Sequence, residues 1–306
     1  MENKLEFEKI INTVFHNDKT FPTKILYEQG TTKVVQVKTP TPVIVRIAEG
    51  DRSSYEFQST LLTELAGQDA LTSQILYWET RELGNKPYGI QVQTYVPGEP
   101  VDHYPDQKGA KAIVNTAYQL HKRLCSASTK VEITSIPKTH DLIIQMLPMV
   151  SSCPIKTAAE KLVKQHRYLE LISQPEQHLI YGDLWYKNIL LEFYGNKTTV
   201  RFIDIDPIVL GPSILQPAIL FASYFLFSAF ILEPKEPDTF NLDDLISYWP
   251  EPLNKKDILL LMQVFPIGLG LLKTVQLSQS NMDFNGRQSI LEPFEKSIQA
   301  IEKMIG

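Results

Sequence analysis

Two acids and an amide stand at spacings that could do chemistry. Asp183 and Asn188 lie five positions apart in Tyr181-Gly182-Asp183-Leu184-Trp185-Tyr186-Lys187-Asn188, and Asp204 follows on the apolar run Phe202-Ile203-Asp204-Ile205-Asp206. Asn188 and Asp204 are hard oxygen donors suited to Mg²⁺, which keeps some waters and takes substrate phosphate oxygens as its remaining ligands. Asp183 can then orient a hydroxyl and take its proton late, a role that contributes on the order of 10² to 10⁴-fold. This is the order of parts that phosphoryl transfer needs. The reaction asks the protein for positioning and charge neutralisation rather than covalent work. Asp206 is a second candidate metal ligand, because alternate residues of an extended strand point the same way. Pro207 predicts that the strand ends there.

The spacing resembles the protein-kinase catalytic loop, where an Asp is followed after four residues by an Asn and a further Asp ends the next strand. More closely, residues 181–188 resemble the His-Gly-Asp-x-x-x-x-Asn signature of the aminoglycoside phosphotransferase family of small-molecule kinases, with Tyr181 in place of the His. The resemblance implies a bilobal, protein-kinase-like α+β fold. A small antiparallel-sheet lobe would span residues 1–95, and a larger, mostly helical lobe residues 96–306. It also implies Mg²⁺, ATP or GTP as co-substrate, Asp183 as catalytic base, and Asn188 and Asp204 as metal ligands.

The elements that must position these groups follow the same order. Lys4 to Asn17 has a rough helical period. Lys24-Tyr27, Lys33-Val37 and Val43-Ile47 are β-branched runs joined by turns, an antiparallel meander. In a nucleotide-binding lobe Gly30, in the first turn, would let the backbone approach phosphate. Arg46 sits where the third strand of a kinase carries its phosphate-binding Lys, and it would grip phosphate as a planar fork. A helix from Ser53 to Ala66 follows, with Ser53 as cap. Its Glu56 is either the ion-pair partner of Arg46 or a capping-box acid. Strands around Gln74-Trp78 and Tyr88-Tyr95 lead into Val96-Pro97-Gly98, similar to the family's hinge, where the backbone at Gln93 and Tyr95 would meet a purine edge.

Beyond residue 96 the pattern turns helical, with segments at 108–123, 141–150, 157–173, 256–264, 267–277 and 289–305. Two departures from the family stand out. Gly211-Pro212-Ser213 lacks the usual acid, and Gln216-Pro217-Ala218 stands near the position of the family's later Asp, a structural anchor whose loss here predicts local rewiring. Residues 214–232 carry no charge, as a membrane span would, but Pro217, Gln216, Ser223 and Ser228 interrupt the run and predict a helix buried on all sides.

Composition bounds the partners. A net charge of −5 over 306 residues argues against nucleic acid, which calls for a basic face. Two cysteines, Cys125 and Cys153, exclude a disulfide framework and fit a reducing cytosol. The charged start, Met1-Glu2-Asn3-Lys4, lacks the apolar core of a signal peptide. The expected protein is therefore cytoplasmic, off the membrane, and a monomer or weak dimer. The acceptor implied by the family is a small hydroxylated molecule: an aminoglycoside or other antibiotic, or a metabolite in the manner of fructosamine, choline or sugar kinases. Ile205-Asp206-Pro207 resembles streptomycin-kinase-like relatives and Gly182-Asp183-Leu184-Trp185 the fructosamine kinases, so the two point to different branches. A catalytically weak nucleotide-binding regulator of the same fold is the alternative. A protein kinase fits poorly, because no Ala-Pro-Glu follows Asp204.

Overall fold

The computed structural model describes residues 21–29, 32–49, 52–66, 71–83, 86–101, 106–127, 136–195, 197–205, 208–231, 241–278 and 284–305. The predicted helix over 4–17, the turn at Gly30 and the candidate ligand Asp206 lie outside these residues. The chain divides into two units, Met1–Pro97 and Gly98–Gly306.

The first unit is an antiparallel sheet of five strands: β1 (Thr23–Gln29), β2 (Thr32–Val37), β3 (Val43–Glu49), β4 (Ile75–Leu83) and β5 (Lys86–Thr94), in the order β1-β2-β3-β5-β4. Alternation decides its two faces. Val35, Val37, Val43, Val45, Ile47, Ile90 and Val92 form a buried cluster on one side. The residues between them belong to the other side, where Arg46 pairs across to Val34 on β2 and Gln91 on β5. The helix α1 (Arg52–Ala66) starts one residue before the predicted Ser53 cap, so Ser53 lies inside its first turn. Leu61, Leu62 and Leu65 bury one face of α1, which packs on β4 and β5.

The second unit opens with β6 (Glu99–Pro100) and continues with α2 (Gln107–Ala127), α3 (Thr139–Met146), α4 (Pro154–Leu162) and α5 (His166–Ile172). The predicted helix over 157–173 is in fact two, broken at residues 163–165, and the one over 141–150 tightens into a 3₁₀ turn at Leu147–Met149, where Pro148 sits. Next come β7 (His178–Tyr181), the hairpin of β8 (Ile189–Tyr194) and β9 (Lys197–Phe202), and β10 (Ile208–Gly211). β7 pairs with β10, while β6, β8 and β9 form a three-stranded sheet. The chain ends in α6 (Leu215–Ile231), α7 (Leu242–Tyr248), α8 (Lys255–Met262), α9 (Val264–Ser278) and α10 (Phe284–Ile305).

The uncharged run of the sequence is α6, and every described side chain from Leu215 to Tyr224 is buried. Helices α2, α8, α9 and α10 cover it. Burying each large apolar side chain there contributes roughly 1.5–3 kcal/mol relative to exposure. Among the described residues one stretch, Lys255–Ser278, is long and apolar enough to cross a membrane, and 67% of its test window is buried inside the protein. A core helix pair of that composition reads the same way as a span.

Candidate active site

The loop after β7 brings three of the sequence-selected groups together. Asp183 and Gly182 form a turn, a 3₁₀ turn covers Tyr186–Asn188, and β8 starts at Ile189. The turn returns Asn188 to Asp183: the Asn188 amide Nδ2 donates to the Asp183 carboxylate (3.1 Å) and to its main-chain carbonyl (3.0 Å). The main-chain carbonyl of Asn188 in turn accepts from the amide of Ile203 (2.9 Å), the residue before Asp204. Asp204 is therefore carried to the same place by the β8–β9 hairpin, although 15 residues of sequence lie between it and Asn188.

Asp204 is the one described non-glycine residue with positive φ, at 56°. That left-handed conformation ends β9 and turns the exposed Asp204 side chain off the line of the strand. Asp tolerates it better than most residues because its short polar side chain can bond locally. The Asp183 carboxyl is pushed up, first by burial and then by the negative charge of Asp204, against the bond from Asn188 and the positive charge of Lys273. The carboxylates of Asp183 and Asp204 and the amide oxygen of Asn188 are hard donors of the kind a divalent cation takes. Asn188 and Asp204 fit Mg²⁺ by that chemistry. Among the described residues no group of three or more His, Cys, Asp or Glu side chains could hold a metal without the Asn.

Two further residues hold this loop, Tyr181 in the signature's His position and Gln216 outside it. Tyr181, fully buried, donates its hydroxyl to the Ile203 carbonyl (2.7 Å), tying β7 to the segment that carries Asp204. Gln216, at the first turn of α6 and 1% exposed, faces the Tyr181 backbone: its Oε1 accepts from the Tyr181 amide (2.8 Å) and its Nε2 donates to the Tyr181 carbonyl (3.3 Å). One side chain thus imitates a β-ladder partner for the strand that leads into Asp183. This is the rewiring that the sequence showed only as a missing acid. A neutral amide can satisfy both backbone groups, which an ionised carboxylate, an acceptor only, cannot.

Four further sequence-selected residues lie in the first unit. Arg46 is half-buried on β3 opposite Gln91. Glu56 is exposed on α1, where its carbonyl accepts from the Thr60 hydroxyl (2.9 Å). Gln93 belongs to a polar chain: Ser73 donates to Gln93 (2.7 Å), Gln93 to Gln91 (3.2 Å) and Gln91 to Gln58 of α1 (3.1 Å). With Gln91 fully buried, that chain fixes β5 to the helix. The Tyr95 amide donates to the Pro42 carbonyl (3.2 Å) and the Thr94 amide to the Gln74 carbonyl (2.9 Å), so both amides are already used inside this unit.

The two surface cavities of the second unit lie elsewhere. One, of about 540 Å³, is lined by Cys153, Lys161 and Glu302 on α4 and α10, and the other, of about 490 Å³, by His121, Cys125 and Glu251. Neither includes Asp183.

Comparison with known proteins agrees with the architecture. No protein-family model matches the sequence, and no curated protein sequence matches it. Solved structures do. A choline kinase from Streptococcus pneumoniae superposes with a TM-score of 0.66 at 12% identity, covering 99% of this chain and 100% of that one. An aminoglycoside 2'-phosphotransferase-IIIa solved with GDP gives 0.68 at 15% identity over 97% and 99% of the two chains. An amicoumacin kinase solved with AMP-PNP and Ca²⁺ gives 0.70 at 12% identity over 98% and 96%. With its antiparallel-sheet first unit and helical second unit, the chain has the protein-kinase-like fold of the small-molecule kinases.

Proposed function

We propose that the protein is a phosphotransferase that moves the γ-phosphate of ATP or GTP to a hydroxyl of a small molecule. The observation that carries this reading is the bond from Asn188 to Asp183 together with the main-chain bond from Ile203 to Asn188, which brings the neighbouring Asp204 beside them. The acceptor oxygen attacks the γ-phosphorus, the bond from phosphorus to the β,γ-bridging oxygen breaks, and the nucleoside diphosphate leaves. Asp183 orients the acceptor hydroxyl and takes its proton. Its half-buried carboxyl, held by Asn188, points one oxygen lone pair without having to reorganise. Asn188 and Asp204 would hold Mg²⁺, which neutralises the phosphate charge that builds up in transfer. Arg46 binds phosphate oxygens as a fork, with Glu56 as the acid that orients it, and, the amides of Thr94 and Tyr95 being used, the base is received through main-chain carbonyls at the strand end by Gln93 and Tyr95. Solved structures of the same fold include nucleotide complexes, with GDP in one and AMP-PNP in another, which supports a nucleotide as donor.

The test is Mg²⁺-dependent transfer of labelled γ-phosphate from ATP and from GTP across a panel of small hydroxylated acceptors. Asp183→Asn lowers kcat by about 10² to 10⁴-fold while leaving nucleotide affinity within a few-fold. Tight nucleotide binding with no turnover on any acceptor would make the protein a nucleotide-binding regulator instead.

A further inference from the structure

The surface beside Asp183 continues from the catalytic loop onto α9. Trp185, two residues after Asp183 and half-buried, lies against Tyr186 (ring centroids 4.4 Å apart) and reaches Phe265 in the first turn of α9 (6.4 Å). From Phe265, positions 268, 269, 272, 273 and 276 follow at helical spacing along neighbouring rows. Phe265 itself is buried, Gly268 and Leu269 are half-buried, and Leu272, Lys273 and Gln276 are exposed. A Cβ built on Gly268 meets nothing within 4 Å, so the helix face is open there, between the turn that carries Phe265 and the turn that carries Lys273.

Charge is placed on this surface in an unexpected sense. The Lys273 ammonium donates to Gln276 (3.1 Å) and has no carboxylate partner among the described residues. Lys273 stands about two helical turns beyond Phe265, the residue that Trp185 reaches, on the same helix. Several acids of the second unit that could have received a cationic acceptor are committed elsewhere. Asp243 pairs with Lys255 (2.6 Å), and Glu251 binds Tyr118 (2.9 Å) and Lys122 (3.5 Å). Asp257 is held by Arg167 (2.6 Å).

We infer that the acceptor carries an anionic group, a carboxylate or a phosphate, received by Lys273, and that its hydroxyl-bearing body lies over Trp185 and the gap at Gly268. This rests on the phosphotransferase reading and narrows its substrate class. An amphipathic ring such as Trp185 suits the apolar face of a sugar or polyol, and a lysine with no carboxylate partner among the described residues suits an external anion. A polycationic acceptor would instead bring its charges against Lys273, a like-charge contact that specificity uses to reject partners.

The experiment uses the full chain with Mg²⁺ and ATP or GTP, and four probes: gluconate, glucose 6-phosphate, choline and kanamycin. At least one of the two anions should be phosphorylated with higher kcat/KM than both cations, and which anion wins separates carboxylate from phosphate recognition. Lys273→Glu should lower that value by roughly tenfold or more, raising KM by a larger factor than it lowers kcat, while Lys273→Arg retains it. Gly268→Leu should raise KM for the same probe by filling the gap, whereas Lys164→Glu, an exposed lysine between α4 and α5, should not move the preference. Better use of choline or kanamycin than of both anions overturns the inference, as does a selectivity that Lys273→Glu leaves unmoved. If no probe is turned over, calorimetry with gluconate and glucose 6-phosphate decides: binding weakened by Lys273→Glu supports the inference, and no binding of either overturns it. Failure to bind the nucleotide with Mg²⁺ would sink the phosphotransferase reading itself.

Discussion

Asp204 is strained as well as charged, and the two properties can be separated. Its φ of 56° costs a residue with an ordinary Cβ roughly 1–2 kcal/mol, whereas Asn visits that region readily. Asp204→Asn should therefore leave the denaturation midpoint near that of the native chain, and Asp204→Ala should lower stability by about 1 kcal/mol. Both should lose phosphoryl transfer, because both remove the carboxylate. Loss of transfer only in the alanine variant would mean that the backbone, and not the charge, matters at this position.

His121 is the residue whose ionisation should be felt in stability. Burial lowers its pKa from 6.5 to about 4, against the pull of Glu251 and with smaller contributions from His178 and Lys122. In the unfolded chain the imidazole takes its proton as pH falls through 6.5, while the folded chain resists until about 4. The contribution of His121 is thus fully present above pH 6.5 and is lost as pH falls towards 4, by as much as ~3 kcal/mol. Urea midpoints measured across that window should fall in the native protein and fall less steeply in His121→Gln. Cys125, beside His121 (3.5 Å to Nε2), is pushed up to about 11 by burial and is a poor nucleophile at neutral pH.

At the scale of elements, the first turn of α6 holds the catalytic strand through one amide. Gln216→Ala removes both bonds to the Tyr181 backbone and leaves a buried amide and carbonyl unpaired, a cost of about 1–3 kcal/mol. Gln216→Glu keeps the acceptor for the Tyr181 amide but sets an oxygen against the Tyr181 carbonyl, so it should not restore stability. If Gln216 positions the loop, Gln216→Ala also lowers kcat with little change in the nucleotide Kd. A purely structural role would lower the melting temperature alone. The same element shows why the apolar run from residue 214 belongs to the core. Gln216, Pro217 and Ser223 within it are buried, and Gln216 and Ser223 have partners inside the protein.

At the scale of the whole molecule, the second unit opens on a glycine, Gly98, that its own packing demands. Its φ is +128°, and a Cβ there would stand 3.0 Å from the Leu190 Cβ and 3.2 Å from the Leu191 carbonyl oxygen. Gly98→Ala should cost about 1–3 kcal/mol, read as a lower midpoint in chemical denaturation. Most other residues cannot let β6 lie so close on β8. The Pro97-Gly98 pair was legible in the sequence as a turn, but the close approach that demands the glycine was not.

The order of chemical parts and the alternation of the strands are local properties, so the sequence by itself determined them. Asp183 and Asn188 meet because only four residues of turn separate them, and Val43, Val45 and Ile47 share a face because strands have a period of two. That pattern was enough to establish an antiparallel sheet followed by helices, and to select Asp183, Asn188 and Asp204. Only the tertiary structure decided which residues from distant segments support them. Gln216 lies 35 positions from Tyr181, and Lys273 lies on α9, beyond three intervening strands and three helices. Nothing local distinguishes a buried glutamine that clamps a strand from a solvated one, or a lysine near a catalytic carboxyl from any surface lysine. Burial and proximity to Asp183 give them their roles, and both exist only once the second unit has packed.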